Sequence, residues 1–343
     1  MNYKNHNFKR DQDGRIIIDE FYDKVRKKLE TRGKREKIWL IFDDVSVLFK
    51  KINEMTFEDY AELLAEALYN QIGIPSADYD LAIFRGENGV LSENFLEKGE
   101  TLIPGNIFLL NCVKRFGKEK LGIEEINERS LNNVVTIQKA FQMMIPQDFC
   151  KKESIELYNR FGVHCMTLQG DIHWRNWSVI YNSQKDSSYR LAPLYDSAGM
   201  CRFSRGCNKL YGIYHGYAVM GNNTRARQYV EEAMFSEKNF DRESIMKYAP
   251  DSPAYMGVTK FMEAFRRNPI YFSPVAKKML LLDPVEAIAC VENKIHSSVP
   301  PLVKNWFTLV IKRNIEFLAI DLANYYTNCT TVGSEEKPKG VKI

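Results

Sequence analysis

The chain has 343 residues, with 48 Lys and Arg against 44 Asp and Glu; a net charge of +4 lacks the basic excess of a nucleic-acid-binding surface, so direct nucleic-acid binding is not expected. With 45% hydrophobic and 12% aromatic residues it can bury a packed core, which excludes a disordered chain. Seven scattered cysteines without a C-x-x-C pair exclude a zinc site of that kind and a disulfide framework, and point to a reducing compartment. The opening Met1–His6 stretch is polar, unlike a signal peptide. Apolar runs such as Ile107–Leu110 fall far short of the ~20 residues that span a bilayer. A cytoplasmic protein without membrane contact is the expectation.

Taken in chain order, Met1–Gly14 is polar and reads as loosely held, and Phe21–Glu30 is charged and compatible with a helix. Lys37–Phe42 and Ser46–Phe49 read as strands joined at Asp43–Asp44. Apolar residues at Tyr60, Leu64, Leu68 and Ile72 mark one face of a helix over Phe57–Ile72, which Gly73 closes and Pro75 prevents from continuing. Tyr79–Phe84 and Val90–Ser92 form a hairpin about Arg85–Gly89. These elements make a small α+β lobe. From Leu131 the pattern turns helical, most clearly over Asn133–Ile145 and Glu153–Leu168. Trp177–Tyr181 and Tyr189–Tyr195 read as a hairpin across a polar turn, followed by a glycine-rich stretch from Gly199 to Gly221. Helices resume at Arg225 and run to Tyr326, broken at Pro250, Pro253 and Pro300–Pro301; Gly333–Ile343 reads as a disordered tail. The expected division is a β-rich lobe over 1–115, a helical lobe over 116–330 and a tail over 331–343.

The chemistry concentrates in Gly170-Asp171-Ile172-His173-Trp174-Arg175-Asn176 and in Leu194-Tyr195-Asp196. Two paired strands of similar length begin and end at the same edge, so Asp171 and Asn176 should fall beside Asp196. Alone, an Asp-x-His-x-x-Asn run is an ordinary polar turn; the returning strand that ends at a second acid is what distinguishes it. One aspartate facing an acceptor hydroxyl, with an asparagine and a second aspartate holding magnesium, is the equipment of phosphoryl transfer. Asp171 then orients or deprotonates the hydroxyl, Asn176 and Asp196 bind the metal, and His173 serves as a scaffold within the loop. Lys50, at the end of an apolar strand, is either a solvated lysine or a point charge on nucleotide phosphates. Glu62 is its preferred helix partner and Glu58, one turn earlier on the same face, the alternative. Gly33 and Lys34, in the turn Thr31–Lys34, could cover phosphates through backbone N–H groups. Ser92 and Asn94, within Ser92–Phe95, lie where an adenine would sit. His164 and the cysteines are assigned to the core.

These residues resemble the HipA-like serine/threonine protein kinases, a family named for the kinase toxin of a bacterial persistence module. The likeness runs from Gly33 to Asp196 through Lys37-Ile-Trp-Leu, Leu48-Phe49-Lys50, Glu62-Leu-Leu-Ala65, Ile72-Gly73-Ile74-Pro75 and Gly89-Val90-Leu91-Ser92. Its specific parts are the Asp171-x-His173-x-x-Asn176 loop and Leu191-Ala-Pro-Leu-Tyr-Asp196. The resemblance implies a two-lobed protein-kinase-like fold, with a β-rich N-lobe and a large helical C-lobe. It also implies ATP and Mg2+ as cofactors and transfer of the γ-phosphoryl group to a protein hydroxyl, the chain's own included. Lys50 becomes the ATP lysine, Asp171 the catalytic aspartate, and Asn176 and Asp196 the metal ligands. It implies a short form lacking the extra N-terminal subdomain of longer relatives, and an antitoxin-type or regulatory protein as partner. Two alternatives stay open: a small-molecule kinase of the aminoglycoside or choline phosphotransferase type, and a catalytically idle nucleotide-binding module.

Overall fold

The computed structural model describes residues 8–19, 26–30, 36–42, 45–52, 56–145, 147–184, 188–205, 246–249, 251–252 and 257–331. Alternation dictates the first sheet. Along Lys37–Phe42 (β3) Ile38, Leu40 and Phe42 are buried in turn, as a pleated strand with one covered face requires. The sheet contains β1 (Ile16–Ile17), β2 (Arg26–Glu30), β3, β4 (Val45–Lys51), β5 (Tyr79–Phe84) and β6 (Glu87–Glu93), in the order β1-β5-β6-β4-β3-β2. Every pairing is antiparallel except β1 on β5. Phe42, Phe49, Phe84 and Leu91 share one apolar cluster. Leu81 and Val90 instead belong to a second, larger cluster with Leu64 and Leu68 of α1 (Glu58–Gln71).

Several local expectations change. The helix read over Phe21–Glu30 is replaced at Arg26–Glu30 by strand β2, bonded to β3 from Arg26↔Ile41 to Glu30↔Lys37. Its charged composition is that of an edge strand, which helical periodicity cannot distinguish from an exposed helix face. Residues 8–14 are not loose. Ile17 N–H donates to Lys9 O at 2.9 Å, Arg15 N–H to Asp11 Oδ1 at 2.8 Å, and the Phe8 ring meets Phe42 edge-on. Gly14, at φ 79°, packs so close to Ile295 that a Cβ would lie 2.1 Å from its carbonyl oxygen. Gly33, Lys34, the Asp43–Asp44 turn, Pro250, Pro253 and the tail expected over Gly333–Ile343 lie outside the described residues, as do residues 206–245 of the glycine-rich and helical stretches.

A strand that the sequence reading missed, β7 (Glu100–Pro104), leads into α2 (Gly105–Phe116) and pairs with β8 (Ser178–Asn182), which pairs with β9 (Ser188–Leu191). β7 thus joins the second sheet, and α2 follows directly from it, ahead of the boundary expected after residue 115. Two single-turn helices, α3 (Lys118–Leu121) and α4 (Glu128–Leu131), precede α5 (Val134–Met144) and α6 (Gln147–Met166). Asn133 caps α5 by accepting from Thr136 N–H at 2.9 Å. From Gly257 onward the described residues form four helices: α7 (Gly257–Arg267), α8 (Pro269–Met279), α9 (Pro284–Ile295) and α10 (Pro301–Thr331). Three of these open on a proline, whose missing N–H costs nothing in a first turn. Trp306, Phe161, Phe261, Phe265 and Phe272 are fully buried among them. The mixed α+β architecture is thus as expected, a small β-rich body and a larger helical one. Among the described residues no helix is long and apolar enough to cross a membrane.

Candidate active site

The site is built where the two bodies meet. Lys50 on β4 stands opposite Val90 on β6 and Lys37 on β3. Its ammonium donates to Glu62 Oε1 at 2.7 Å and to Asp196 Oδ1 at 2.5 Å. The Glu62 side chain is 0% exposed, and its second oxygen accepts from Ser197 N–H at 2.7 Å. Of the two glutamates the sequence left open, Glu62 is therefore the one paired with Lys50. Burial alone would push the Lys50 amine down, but Asp196 and Glu62 outweigh it and hold the pKa above the ordinary lysine value. Burial would raise the Asp196 carboxyl; Lys50 and then Lys37 overcome this and keep it below the usual range. For Glu62 burial prevails and the pKa is raised, with Lys50 opposing. Charge here follows proximity to amines more than exposure.

Asp196 arrives by an irregular route. The expected strand Tyr189–Tyr195 ends early, at Leu191, because Pro193 has no N–H to continue the ladder. The chain then crosses to the residues after α1: Leu194 N–H donates to Pro75 O and Ala77 N–H to Leu194 O, each at 2.8 Å. Asp196 adopts φ 58°, a left-handed conformation that Asp tolerates better than most residues. Its N–H donates to Tyr79 Oη at 3.1 Å, and the Tyr69 and Ser197 hydroxyls meet at 3.1 Å. Both amides at this turn are thus bonded to the first lobe.

The loop before β8 is fixed from below. Buried Asn132 donates to Ile172 O at 2.7 Å and accepts from Trp177 Nε1 at 3.1 Å; Trp174 N–H donates to Glu128 Oε1 at 2.8 Å. Within the loop, Asn176 Nδ2 donates to Asp171 O at 2.9 Å and Arg175 N–H to His173 Nδ1 at 3.1 Å. His173 Nε2 lies 3.7 Å from Asp171 Oδ1. The Asp171 carboxylate is 59% exposed. Because the amide nitrogen of Asn176 is committed to the backbone, its oxygen is the atom of that side chain suited to a cation. Asp171, Asn176 and Asp196 line one pocket, together with Arg160, His164 and Gln169. Gly199 passes against this loop, where a Cβ would lie 2.6 Å from Gln169 Oε1 and 3.2 Å from Asp171 Cβ. Only a residue without a side chain allows that approach.

Among the described residues no cluster of three or more His, Cys, Asp or Glu could hold a metal alone. An ionised carboxylate and an amide oxygen instead form the sparse oxygen set that suits magnesium sharing its shell with phosphates and water. Ser92, 9% exposed on β6, and Asn94, whose Oδ1 accepts from Leu96 N–H at 3.1 Å, join none of the contacts around Lys50. They lie at the crossover, where Phe95 stacks on Tyr195 with ring centroids 6.1 Å apart. Sequence reasoning missed Lys37, whose amine is 3.6 Å from Asp196 Oδ2, and Asn132. The β3–β4 register, had it been counted back from Asp43–Asp44, places Lys37 opposite Lys50; for Asn132 there was no such signal.

With this geometry in view, the family model described as the HipA-like C-terminal domain matches residues 29–252. Among solved structures, the Helicobacter pylori proinflammatory kinase CtkA superposes with a TM-score of 0.60 at 14% identity, covering 90% of this chain and 99% of that one. HipA of the Shewanella oneidensis MR-1 toxin–antitoxin system, in a complex with HipB and operator DNA, gives 0.50 at 13% identity, covering 88% of this chain and 68% of that one. At such identities the likeness is one of fold, and the fold is kinase-like and two-lobed. No curated protein matches the chain in sequence.

Proposed function

Because the chain belongs to the HipA-like C-terminal domain family, we propose that this member of a kinase family is an ATP- and magnesium-dependent serine/threonine protein kinase. One observation carries the reading: Lys50, held by Glu62 and Asp196, stands at the same junction as the pocket that Asp171, Asn176 and Asp196 line. Lys50 stays protonated and exchanges its bond to Asp196 for nucleotide phosphate oxygens, with Glu62 keeping the amine in place. Asn176 and Asp196 would hold magnesium, which would supply positive charge beside the phosphates. Asp171 accepts a hydrogen bond from the acceptor hydroxyl and takes its proton as transfer proceeds. Gly33 and Lys34 belong to the phosphate side and Ser92 and Asn94 to the adenine side of the same proposal. A cytoplasmic setting and a regulatory protein partner complete it, the latter prompted by HipB beside the HipA neighbour.

The test is incubation with labelled ATP, magnesium and candidate proteins, followed by mass spectrometry of every chain present. Asp171→Ala is the informative variant, since this exposed side chain can be removed without stranding a buried charge. It should fold normally and lose transfer by at least about 100-fold. Phosphate appearing on a serine or threonine in wild type but not in Asp171→Ala or Asp196→Ala supports the reading. Transfer that survives both variants sinks it.

A further inference from the structure

Lys50 meets Glu62 only while α1 keeps that face turned toward the sheet. Besides Ser197 and Tyr79, contacts that hold α1 there come from two segments outside the residues matched by the family model, 29–252. At its start, Arg15 Nη2 lies 2.6 Å from Asp59 Oδ2, a pair with 8% and 5% side-chain exposure, and the guanidinium sits 5.8 Å above the Tyr60 ring. One turn beyond Glu62, Lys294 of α9 donates to Glu66 Oε1 at 2.9 Å and Oε2 at 2.8 Å, and to Asp78 Oδ1 at 2.6 Å. At the end of α1, Gln71 exchanges two bonds with the Asp283 backbone, donating at 2.8 Å and accepting at 2.9 Å, and Lys278 donates to Ile72 O at 3.1 Å. The two flanking segments also touch each other, through Gly14 against Ile295 and Ser297 Oγ donating to Gln12 O at 3.0 Å.

Glu66 ties this belt to the site itself. It accepts from Tyr79 N–H at 2.9 Å, and Tyr79 Oη accepts from Asp196 N–H at 3.1 Å. Lys294, Glu66, Tyr79 and Asp196 thus form a continuous line from the outer helix to the acid beside Lys50. We propose that the two flanking segments form a belt that locks α1 in its inward position, and that Lys294 is its principal positioning residue, acting on phosphoryl transfer through Glu62 and Asp196. The catalytic part of this statement rests on the kinase reading; the mechanical part does not. A misplacement of about 1 Å at reacting groups can cost as much as ~100-fold in rate, so loosening α1 should be visible in turnover.

The experiment compares Lys294→Met with Lys294→Arg in the full chain. Lys294→Met should lower kcat by roughly 10- to 100-fold with little change in KM for the acceptor. Lys294→Arg, which keeps the charge, should recover most of the rate. In a Glu62→Gln background Lys294→Met should cost less than it does in wild type, because part of its effect passes through that glutamate. An unchanged kcat, or a loss that adds fully to that of Glu62→Gln, overturns the proposal. Hydrogen exchange gives a readout independent of turnover: amides of Glu58–Gln71 should exchange faster in Lys294→Met while those of β6 do not. Unchanged exchange in α1 removes the belt whatever the activity. Faster exchange in a chain that transfers no phosphate keeps the belt and discards only the kinase reading. Should Lys294→Met not fold, Gln71→Ala, which deletes only the pair of bonds to Asp283, carries the same tests.

Discussion

His164 illustrates how a single residue assigned to the core acquires a measurable role. It lines the pocket beneath Asp171, its Nδ1 is buried without a hydrogen-bond partner, and its ring meets Tyr69 edge-on at 6.5 Å. Burial first, then Arg160 and Lys260, push its pKa down to about 3. The unfolded chain takes up this proton near the ordinary histidine value of 6.5, whereas the folded protein refuses it until about 3. Stability contributed by neutral His164 is therefore complete above 6.5 and is lost progressively as pH falls toward 3. We predict that the thermal midpoint starts to drop between pH 6.5 and 5, above the range where most carboxylates titrate, and that His164→Gln flattens this early part of the curve. A wild-type midpoint constant down to pH 5 would contradict the assignment. Lys50 is the opposite case: replacing it leaves Glu62 buried without its cation, and breaking such a pair costs roughly 3–5 kcal/mol. Loss of activity in a Lys50 variant would thus confuse unfolding with chemistry, and Asp171→Ala is the cleaner probe.

Among elements, the loop before β8 shows how a short polar stretch becomes rigid. Nothing in Asp171–Asn176 supplies a regular ladder, and its shape comes from Asn132, 1% exposed, which both donates to Ile172 O and accepts from Trp177 Nε1. Asn132→Ala should destabilise the protein by about 1–3 kcal/mol, since two buried polar groups lose their partner. Denaturant unfolding measures that cost. On the proposed kinase reading, the residual folded protein should also transfer phosphate more slowly, because Asp171 is then less firmly placed. The hairpin feeding Asp196 was readable as two β-rich runs, yet its end was not. Pro193 stops the ladder, and only the bridge from Leu194 to Pro75 and Ala77 carries Asp196 across to Lys50. Likewise Arg26–Glu30 carries no apolar period of its own, so its state was decided by the partner β3.

For the whole molecule, the two lobes share the site rather than merely bordering it. Lys50, Glu62 and Tyr79 come from the first, Asp171, Asn176 and Asp196 from the second. A ligand gripping both sides should stabilise the chain as one unit. ATP with magnesium at one hundred times its Kd should add about 2.7 kcal/mol, seen as a higher thermal midpoint. If Asp196 is a magnesium ligand as proposed, Asp196→Asn should abolish the magnesium-dependent part of that shift; an equal shift in both proteins would overturn that role.

Strands β3 to β6, helix α1, the loop Gly170–Asn176, the acid at 196 and the lysine at 50 were legible in the amino-acid sequence, because strand alternation, helical spacing and polar-turn composition are local properties of the chain. The choice of Glu62 over Glu58, the contribution of Lys37, the strand β7 and the support given by Asn132 and Lys294 were settled only in three dimensions. Each depends on which surfaces meet. An ion pair between residues 146 positions apart, such as Lys50 and Asp196, leaves no periodic trace in either segment.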